Sequence, residues 1–413
     1  MPPAPPPPAP PPEPPLPPEP PLPPEPPLPP DPPLPPEPPL PPEPPIVFDG
    51  ELQTWLSNAD RDLARLDAIA DVLPNPDLFV AMYVRHEAVL SSQIEGTQST
   101  LEDVLAFETA ATADDAPQDV EEVFNYVRAM NHGLRRLAEH FPLSLRLIRE
   151  IHAELMHGGG RKIRGGEKTP GEFRRTQNWI GGAGCTLTTA SFVPPPPHEL
   201  MNALDGLEKF LHQGRHSLPL LVRCGLAHAQ FETIHPFLDG NGRVGRLLIT
   251  LLLCEEGALT RPLLYLSVFL KAHRAEYYDR LTAIRTHGHW EAWLKFFLRG
   301  VSTTARAATQ TARDIVALQA AHRAAVANNA YALKLLDHLY QQPYVNAKTC
   351  AQVTGCSMPT AIKLLEDLRA RTWLHDTTGQ QRNRVYRYQP YLDLFHRDTV
   401  QSVFETQFTP EAP

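Results

Sequence analysis

The chain has 413 residues, enough for two or three domains, and 38 Lys and Arg against 47 Asp and Glu give a net charge of −9. Residues 1–46 hold six acids (Glu13, Glu19, Glu25, Asp31, Glu37, Glu43) and no Lys or Arg. About −3 is left for the rest, which excludes a strongly basic nucleic-acid binder or a membrane-surface protein. The five cysteines (Cys185, Cys224, Cys254, Cys350, Cys356) are odd in number, lack a Cys-x-x-Cys spacing and read as reduced thiols. No secretory leader is read, and the apolar run Leu247 to Leu253 is too short to cross a bilayer, so a cytoplasmic protein with no membrane partner is expected.

Residues 1–46 contain 31 of the 48 prolines and repeat Pro-Pro-Glu-Pro-Pro-Leu every six residues. Proline donates to neither helix nor sheet, so a polyproline II or disordered tail is expected. At ~3.1 Å per residue it could reach roughly 140 Å. It reads as a stiff solvated tail or as a ligand for an SH3-like groove; the missing Arg or Lys beside the Pro-x-x-Pro units weighs against the second.

Helices follow. Leu52, Trp55, Leu56, Leu63, Leu66, Ile69 and Val72 share one apolar face, and Pro74 and Pro76 are expected to break it. Phe79 to Ile94 is the next helix, ending in Ser91-Ser92-Gln93-Ile94-Glu95-Gly96. Ser91 and Glu95 are four apart on one face, and Gly96 suits the stop. Thr100 and Asp103 suggest a capping box for another helix. Val120 to Leu137 marks a longer one, and Leu145 to Leu155 a further one, stopped by Gly158, Gly159 and Gly160. In residues 160–197, Gly165, Gly166, Gly181, Gly182 and Gly184 surround Trp179-Ile180 and Thr186-Leu187-Thr188-Thr189, a predicted hairpin. Leu200, Leu204, Leu207 and Leu211 then mark a helix before the most informative stretch.

That stretch runs from His235 to Arg246, His-Pro-Phe-Leu-Asp-Gly-Asn-Gly-Arg-Val-Gly-Arg, between helical patterns at Leu220–Ile234 and Val244–Cys254. Gly240 and Gly242 permit a nest of inward N–H groups, and the following helix adds its positive end. Arg243 and Arg246 on the first turn can fork onto phosphate, Asp239 can hold Mg²⁺, and a neutral His235 can take a proton from a hydroxyl. The string Gly240-x-Gly242-x-x-Gly245 is not a dinucleotide fingerprint, because a helix rather than a strand precedes it; nor does it end in the Gly-Lys-Ser/Thr of a P-loop.

At these residues the chain resembles the Fic family, whose signature is His-x-Phe-x-Asp/Glu-Gly-Asn-Gly-Arg-x-x-Arg. The resemblance implies AMP transfer from ATP to a protein hydroxyl. It makes His235 the general base and Phe237 a loop anchor. Asp239 becomes the Mg²⁺ ligand, and Gly240, Asn241, Gly242, Arg243, Val244, Gly245 and Arg246 the nucleotide loop. It also makes the Ser91–Gly96 hexamer an inhibitory motif in which Glu95 pairs with Arg246 and obstructs the γ-phosphate. Ser91 and Gly96 complete that motif. The 160–197 hairpin becomes a flap for target segments. Within Arg274-Ala-Glu-Tyr-Tyr-Asp279, Tyr278 is implied as an adenine contact.

Trp290, Trp293, Phe296 and Phe297 are expected in the core on one helix, and Val301 to about Ala327 on another. Beyond them, Tyr331 to Tyr340, Asn346-capped Ala347 to Val353 and Ser357-capped Met358 to Arg371 precede a hairpin of Trp373–His375 and Arg384–Tyr388, the order of a winged helix. From Lys334 to Tyr388 eight Lys or Arg face four acids. Lys363, Arg382, Arg384 and Arg387 could meet DNA phosphates, or the module could serve protein contact or homodimerisation.

The expected fold class is therefore mainly α, a Fic-type helical domain with a β-hairpin flap plus a winged helix. The divisions are a tail (1–46), an N-terminal helical region (47–140), a catalytic domain (141–328), a winged helix (329–395) and a C-terminal tail (396–413). The expected function is autoinhibited AMP transfer to Ser, Thr or Tyr of target proteins and of itself. Three alternatives stay open: removal of AMP, transfer of another nucleotide or of phosphocholine, and an ATP-sensing DNA-binding regulator.

Overall fold

A computed structural model describes residues 45–70, 73, 76–109, 118–157, 169–181, 184–213, 218–378 and 384–395. The expectations for the proline-rich segment through Pro44, for Val72, Pro74, Gly158–Gly160, Gly165, Gly166, Gly182 and Arg382, and for the tail from residue 396 lie outside these residues.

The amphipathic runs fold as helices. The first is α1 (Gly50–Ala70); it ends before the prolines, and α2 (Pro76–Ile94) opens on Pro76, because the first turn has no use for the missing N–H. Then come α3 (Leu101–Thr109), α4 (Gln118–Ala138) and α5 (Leu145–Leu155). The capping box of α3 is present: Asp103 N–H donates to Thr100 Oγ1 at 3.2 Å and Thr100 N–H to Asp103 Oδ2 at 2.8 Å. Ser144 caps α5 by accepting from Leu147 N–H.

Past the flap lie α6 (Pro197–Gln213), α7 (Leu220–Ile234) and α8 (Asn241–Glu255). Leu221 to Ile234 is buried all round, which places α7 at the centre of the domain rather than on its surface. A short α9 (Ser267–Ala272), not anticipated, precedes α10 (Arg274–His287) and α11 (Trp290–Ala325). The two helices expected over Trp290–Ala327 are one helix of 36 residues. Gly300 does not interrupt it; a Cβ there would stand 2.7 Å from the Phe269 ring, so the glycine lets α9 close against α11. α1 lies along α11.

The C-terminal elements are α12 (Ala330–Leu339), β1 (Tyr344–Asn346), α13 (Ala347–Thr354), α14 (Met358–Ala370), β2 (Leu374–Asp376) and β3 (Val385–Tyr388). Asn329, Asn346 and Ser357 cap the three helices as their side chains accept backbone N–H groups. The antiparallel sheet has the order β1-β3-β2, with Tyr344 opposite Arg387 and Leu374 opposite Tyr388. The three-residue β1 was too short to give a sequence signal. His322 near the end of α11 stacks on Trp373 at 3.7 Å and hydrogen-bonds the Tyr388 hydroxyl at 2.6 Å, fixing the hairpin to the helical body. Among the described residues no helix is long and apolar enough to cross a membrane.

Trp293 is fully buried, donates its indole N–H to Gly225 O at 2.9 Å, and packs on Tyr277, Phe296 and Phe297. Trp293→Ala should cost about 3–5 kcal/mol, read as a lowered denaturant midpoint.

Candidate functional site

The turn between α7 and α8 is held from several directions. α7 ends at His235 in the left-handed region (φ 48°, ψ 60°), unusual for a residue with a Cβ and sustained only when the surroundings enforce it. The enforcement comes from the first part of the 160–197 segment. Arg174 donates to His235 O at 3.0 Å, its backbone N–H donates to Pro236 O at 2.9 Å, and Asn178 Nδ2 donates to both His235 O and Phe237 O. Phe237 is fully buried and stacks on His152 at 3.7 Å. Asn241 closes the loop: its Oδ1 accepts Phe237 N–H and its Nδ2 donates to Phe237 O, both at 2.8 Å. Gly240 at φ 76° leads into α8. The first helical bond of α8 is donated by Val244 to Gly240 O, so the N–H groups of Asn241, Gly242 and Arg243 precede the ladder at the positive end of the dipole.

A carboxylate lies over that end. Glu95, in the turn after α2, accepts from Arg246 Nη2 at 2.7 Å. Ser91, one helical turn earlier and fully buried, accepts from Arg246 through its hydroxyl (2.7 Å) and its carbonyl (2.9 Å). A Cβ at Gly242 would stand 2.2 Å from Glu95 Oε1, so only glycine admits the carboxylate there. Burial raises the Glu95 pKa, but Arg246, and more weakly Arg243 and His235, outweigh it and hold the group below its ordinary value. Gly96 takes φ 103° as the chain leaves the turn.

The other loop residues divide. Arg243 is buried and meets Glu122 of α4 at 3.4 Å and Asp239 at 3.6 Å, so it braces the loop rather than standing open on the first turn. Asp239 keeps 29 % of its side chain exposed, accepts Gly240 N–H at 2.6 Å, and has its carbonyl held by His152. Because Gly171 N–H donates to His152 Nδ1, the proton of that imidazole is on Nε2, aimed at Asp239 O. Val244 points into the core, and Gly245 faces α7, where a Cβ would meet Glu232 Oε1 at 2.3 Å; these two lie off the open face expected of them. In the Tyr277–Tyr278 pair, Tyr277 is buried with its hydroxyl on His228, while Tyr278 is 38 % exposed and close enough to Glu95 to feel its charge. His235 has its pKa pushed down to about 3 by burial and by Arg285, against Glu95, so its imidazole is neutral near pH 7. Among the described residues of the expected flap hairpin, Ile180 and Phe192 form an antiparallel bridge around a short 3₁₀ turn at Leu187–Thr189.

Two sequence profiles match in tandem, one described as Fic/DOC family N-terminal over residues 53–135 and one as Fic/DOC family over residues 142–253. These two stretches, a little under half of the chain, are Fic/DOC family sequence. The Fic fold is also that of a crystal structure of a Fic family protein from Desulfovibrio desulfuricans G20, with a TM-score of 0.54 at 21 % identity, covering 84 % of this chain and 98 % of that one. The relative named protein adenylyltransferase Fic from Drosophila grimshawi is 33 % identical over 192 residues, 46 % of this chain and 35 % of its own length. Its namesake from Aedes aegypti is 36 % identical over 141 residues, 34 % of this chain and 24 % of its own length. The chain thus spans about a quarter to a third of these curated relatives.

Around the loop, sequence reasoning missed Glu122, His152, Arg174, Asn178, Glu232 and Arg285. Of these only Glu232 and Arg174 carry a local signal, a charge inside an apolar run or in the 160–197 segment, and neither signal names a partner. An NMR titration should find His235 neutral from pH 8 down to below about 5, and Arg285→Gln should raise its midpoint. Gly242→Ala should displace Glu95 from Arg246, read as loss of that contact in a crystal structure.

Proposed function

We propose that this chain is an autoinhibited protein adenylyltransferase that moves AMP from ATP to Ser, Thr or Tyr hydroxyls of target proteins and of itself. The observation that carries the reading is the Glu95 carboxylate lying on Gly242 and paired with Arg246, at the open N-terminus of α8 and beside a neutral His235. A site that holds a carboxylate against Gly242 and an arginine, at the N-terminus of a helix, is built for an anion, and a phosphate chain is the larger anion it fits. The relatives named protein adenylyltransferase support the choice of nucleotide and group transferred.

The α-phosphate would rest on the N–H groups of Asn241 and Gly242, with Arg246 reaching the outer phosphates once Glu95 leaves. Tyr278 would border the base. Asp239, part-exposed and fixed through Gly240 N–H and His152, fits Mg²⁺, which is commonly held by one or two carboxylates together with substrate phosphates. The ion would neutralise charge on the triphosphate. A target segment would pair along the Ile180–Phe192 bridge and bring its hydroxyl to His235. The imidazole accepts the hydroxyl proton as the oxygen attacks the α-phosphorus, and the bond to pyrophosphate breaks. Its low pKa keeps it unprotonated at rest, and nearby phosphate charge raises its basicity when substrate is present. Positioning and electrostatic stabilisation supply most of the rate.

All five cysteines are free, in keeping with a cytoplasmic setting. For the C-terminal module, protein contact is favoured over DNA. α14 exposes Met358 and Ile362 beside Glu366 and Asp367, and Arg384 is engaged by Asp376 at 3.5 Å. Salt-dependent binding to a random duplex pool would reverse that assignment.

His235→Ala should lower AMP transfer by ~10²–10⁴-fold with ATP binding nearly intact, measured with labelled ATP. Glu95→Gly should raise transfer to self and to lysate proteins by about tenfold or more, and Arg246→Ala in that background should remove the gain. Unchanged or lower transfer in Glu95→Gly would show that Glu95 is no brake. Loss of AMP removal alone would favour the reverse reaction.

A further inference from the structure

Arg246 stands among three carboxyl groups. Glu95 is its ion-pair partner. Glu87, two turns before Glu95 on the same face of α2, is occupied otherwise: it accepts from the Tyr126 hydroxyl at 3.2 Å, from Ser267 N–H at 3.2 Å and from the Ser267 hydroxyl. Glu232 of α7 is different. It is 6 % exposed, and its Oε1 is buried with no hydrogen-bond partner among the described residues. That oxygen lies against Gly245 as Glu95 Oε1 lies against Gly242, so one turn of α8 carries two carboxyl groups, each seated on a glycine, with Arg246 next in sequence.

The groups acting on Glu232 come from every side. Arg246 faces it from α8, Glu95 from the end of α2, and Arg285 and Tyr277 from α10, while His228 and His235 flank it on its own helix. Arg285 has other duties: it donates to Thr233 Oγ1 at 3.2 Å and to the Glu232 carbonyl at 3.1 Å, and it covers the Phe192 ring. A buried guanidinium cannot stand uncompensated without a large desolvation cost. If Glu95 alone balanced Arg246, its withdrawal would leave that cost unmet.

We infer that Glu232 is a positioning residue, the alternate counter-charge of Arg246: it is protonated while Glu95 occupies the guanidinium, ionises to steady that guanidinium when Glu95 withdraws, and regains its proton when phosphate arrives. The first proton goes to solvent and the second returns from it. Burial, with Glu95 adding to it, raises the Glu232 pKa to about 7 against the pull of Arg246. Withdrawing Glu95 removes one raising influence and leaves Arg246 unneutralised, and both changes lower the value. The open form therefore binds fewer protons, and release of Glu95 is favoured as pH rises through the neutral range. Only the last step, phosphate arrival, rests on the proposed nucleotide transfer.

The test uses the full chain and reads the infrared absorption of protonated carboxyl groups against pH. Burial raises the Glu87 pKa to about 7 as well, so the wild type should show such absorption titrating near neutrality, reduced but not lost in Glu232→Gln and in Glu87→Gln, and the part that Glu87→Gln retains belongs to Glu232. In Glu95→Gly the midpoint should fall by about one pH unit or more. The comparison of wild type, Glu87→Gln and Glu95→Gly stands even if Glu232→Gln does not fold. Calorimetry of ATP with Mg²⁺ binding to Glu95→Gly/His235→Ala follows, in buffers of different ionisation enthalpy at a pH just above the lowered midpoint and above the last phosphate ionisation near ~6. It should show proton uptake that Glu232→Gln abolishes. An unshifted band in Glu95→Gly, or equal proton uptake with and without Glu232, overturns the inference. A shifted band with no ATP binding would sink the nucleotide reading and leave the charge hand-over standing.

Discussion

Arg246 carries a full positive charge at a place where only 3 % of its surface is open, and much of the molecule is arranged around that fact. Burial alone would depress its pKa; Glu95, aided by Tyr277 and Glu232, raises it instead. Ser91 satisfies two of its N–H groups and Glu95 another. Those contacts fix where α2 must end and require glycine at 242. They also fix how α2 sits against its neighbours, because Glu87 on the same face is tied to Tyr126 of α4 and Ser267 of α9. The helix bearing Glu95 and the loop bearing His235 are therefore parts of one hydrogen-bonded unit, although about 150 residues separate Ser91 from Arg246.

The loop was legible in the sequence because its chemistry is local. Gly240, Asn241 and Gly242 serve backbone demands that adjacent residues impose, and His235 follows directly from the end of α7. The helices were legible where their apolar spacing was regular, as in α4, α5 and α7. What failed was also local in origin. A break was expected between Phe297 and Val301, but α11 runs on, and the Gly300 that lies there answers to Phe269 on another element. The flap's glycines suggested a hairpin, and among the described residues Ile180 and Phe192 form its bridge.

The bracing of the loop was not legible at all. Glu122, His152 and Arg174 lie on α4, on α5 and in the 160–197 segment, and no spacing in the sequence relates them to His235 or Asp239. Asn241 shows the converse. Its place in the loop was plain, but its side chain is used up on Phe237, so toward the open end of α8 it offers only its backbone N–H. A motif lists the residue types a loop needs; whether each acts on a ligand or on the loop itself depends on partners far away in the chain.

Ser91 and Glu95 also differ in what their removal from Arg246 would require. α2 is packed at its other end by Tyr83 against Tyr265 (5.3 Å) and against Phe395 of the closing helical segment 389–395 (5.4 Å). Ser91 is within the helix and fully buried, so its bonds to Arg246 break only if α2 moves as a whole against that packing. Glu95 is past the last helical residue, with 37 % of its side chain exposed. It can swing away by rotation in the turn that Gly96 makes flexible in choice of φ, with no loss of core contacts. The guanidinium would then still be held through Ser91 while its outer face opens. On the proposed reading, Glu95 blocks the anion site and Ser91 keeps Arg246 aimed at it, so that leaving inhibition costs one ion pair and not the helix.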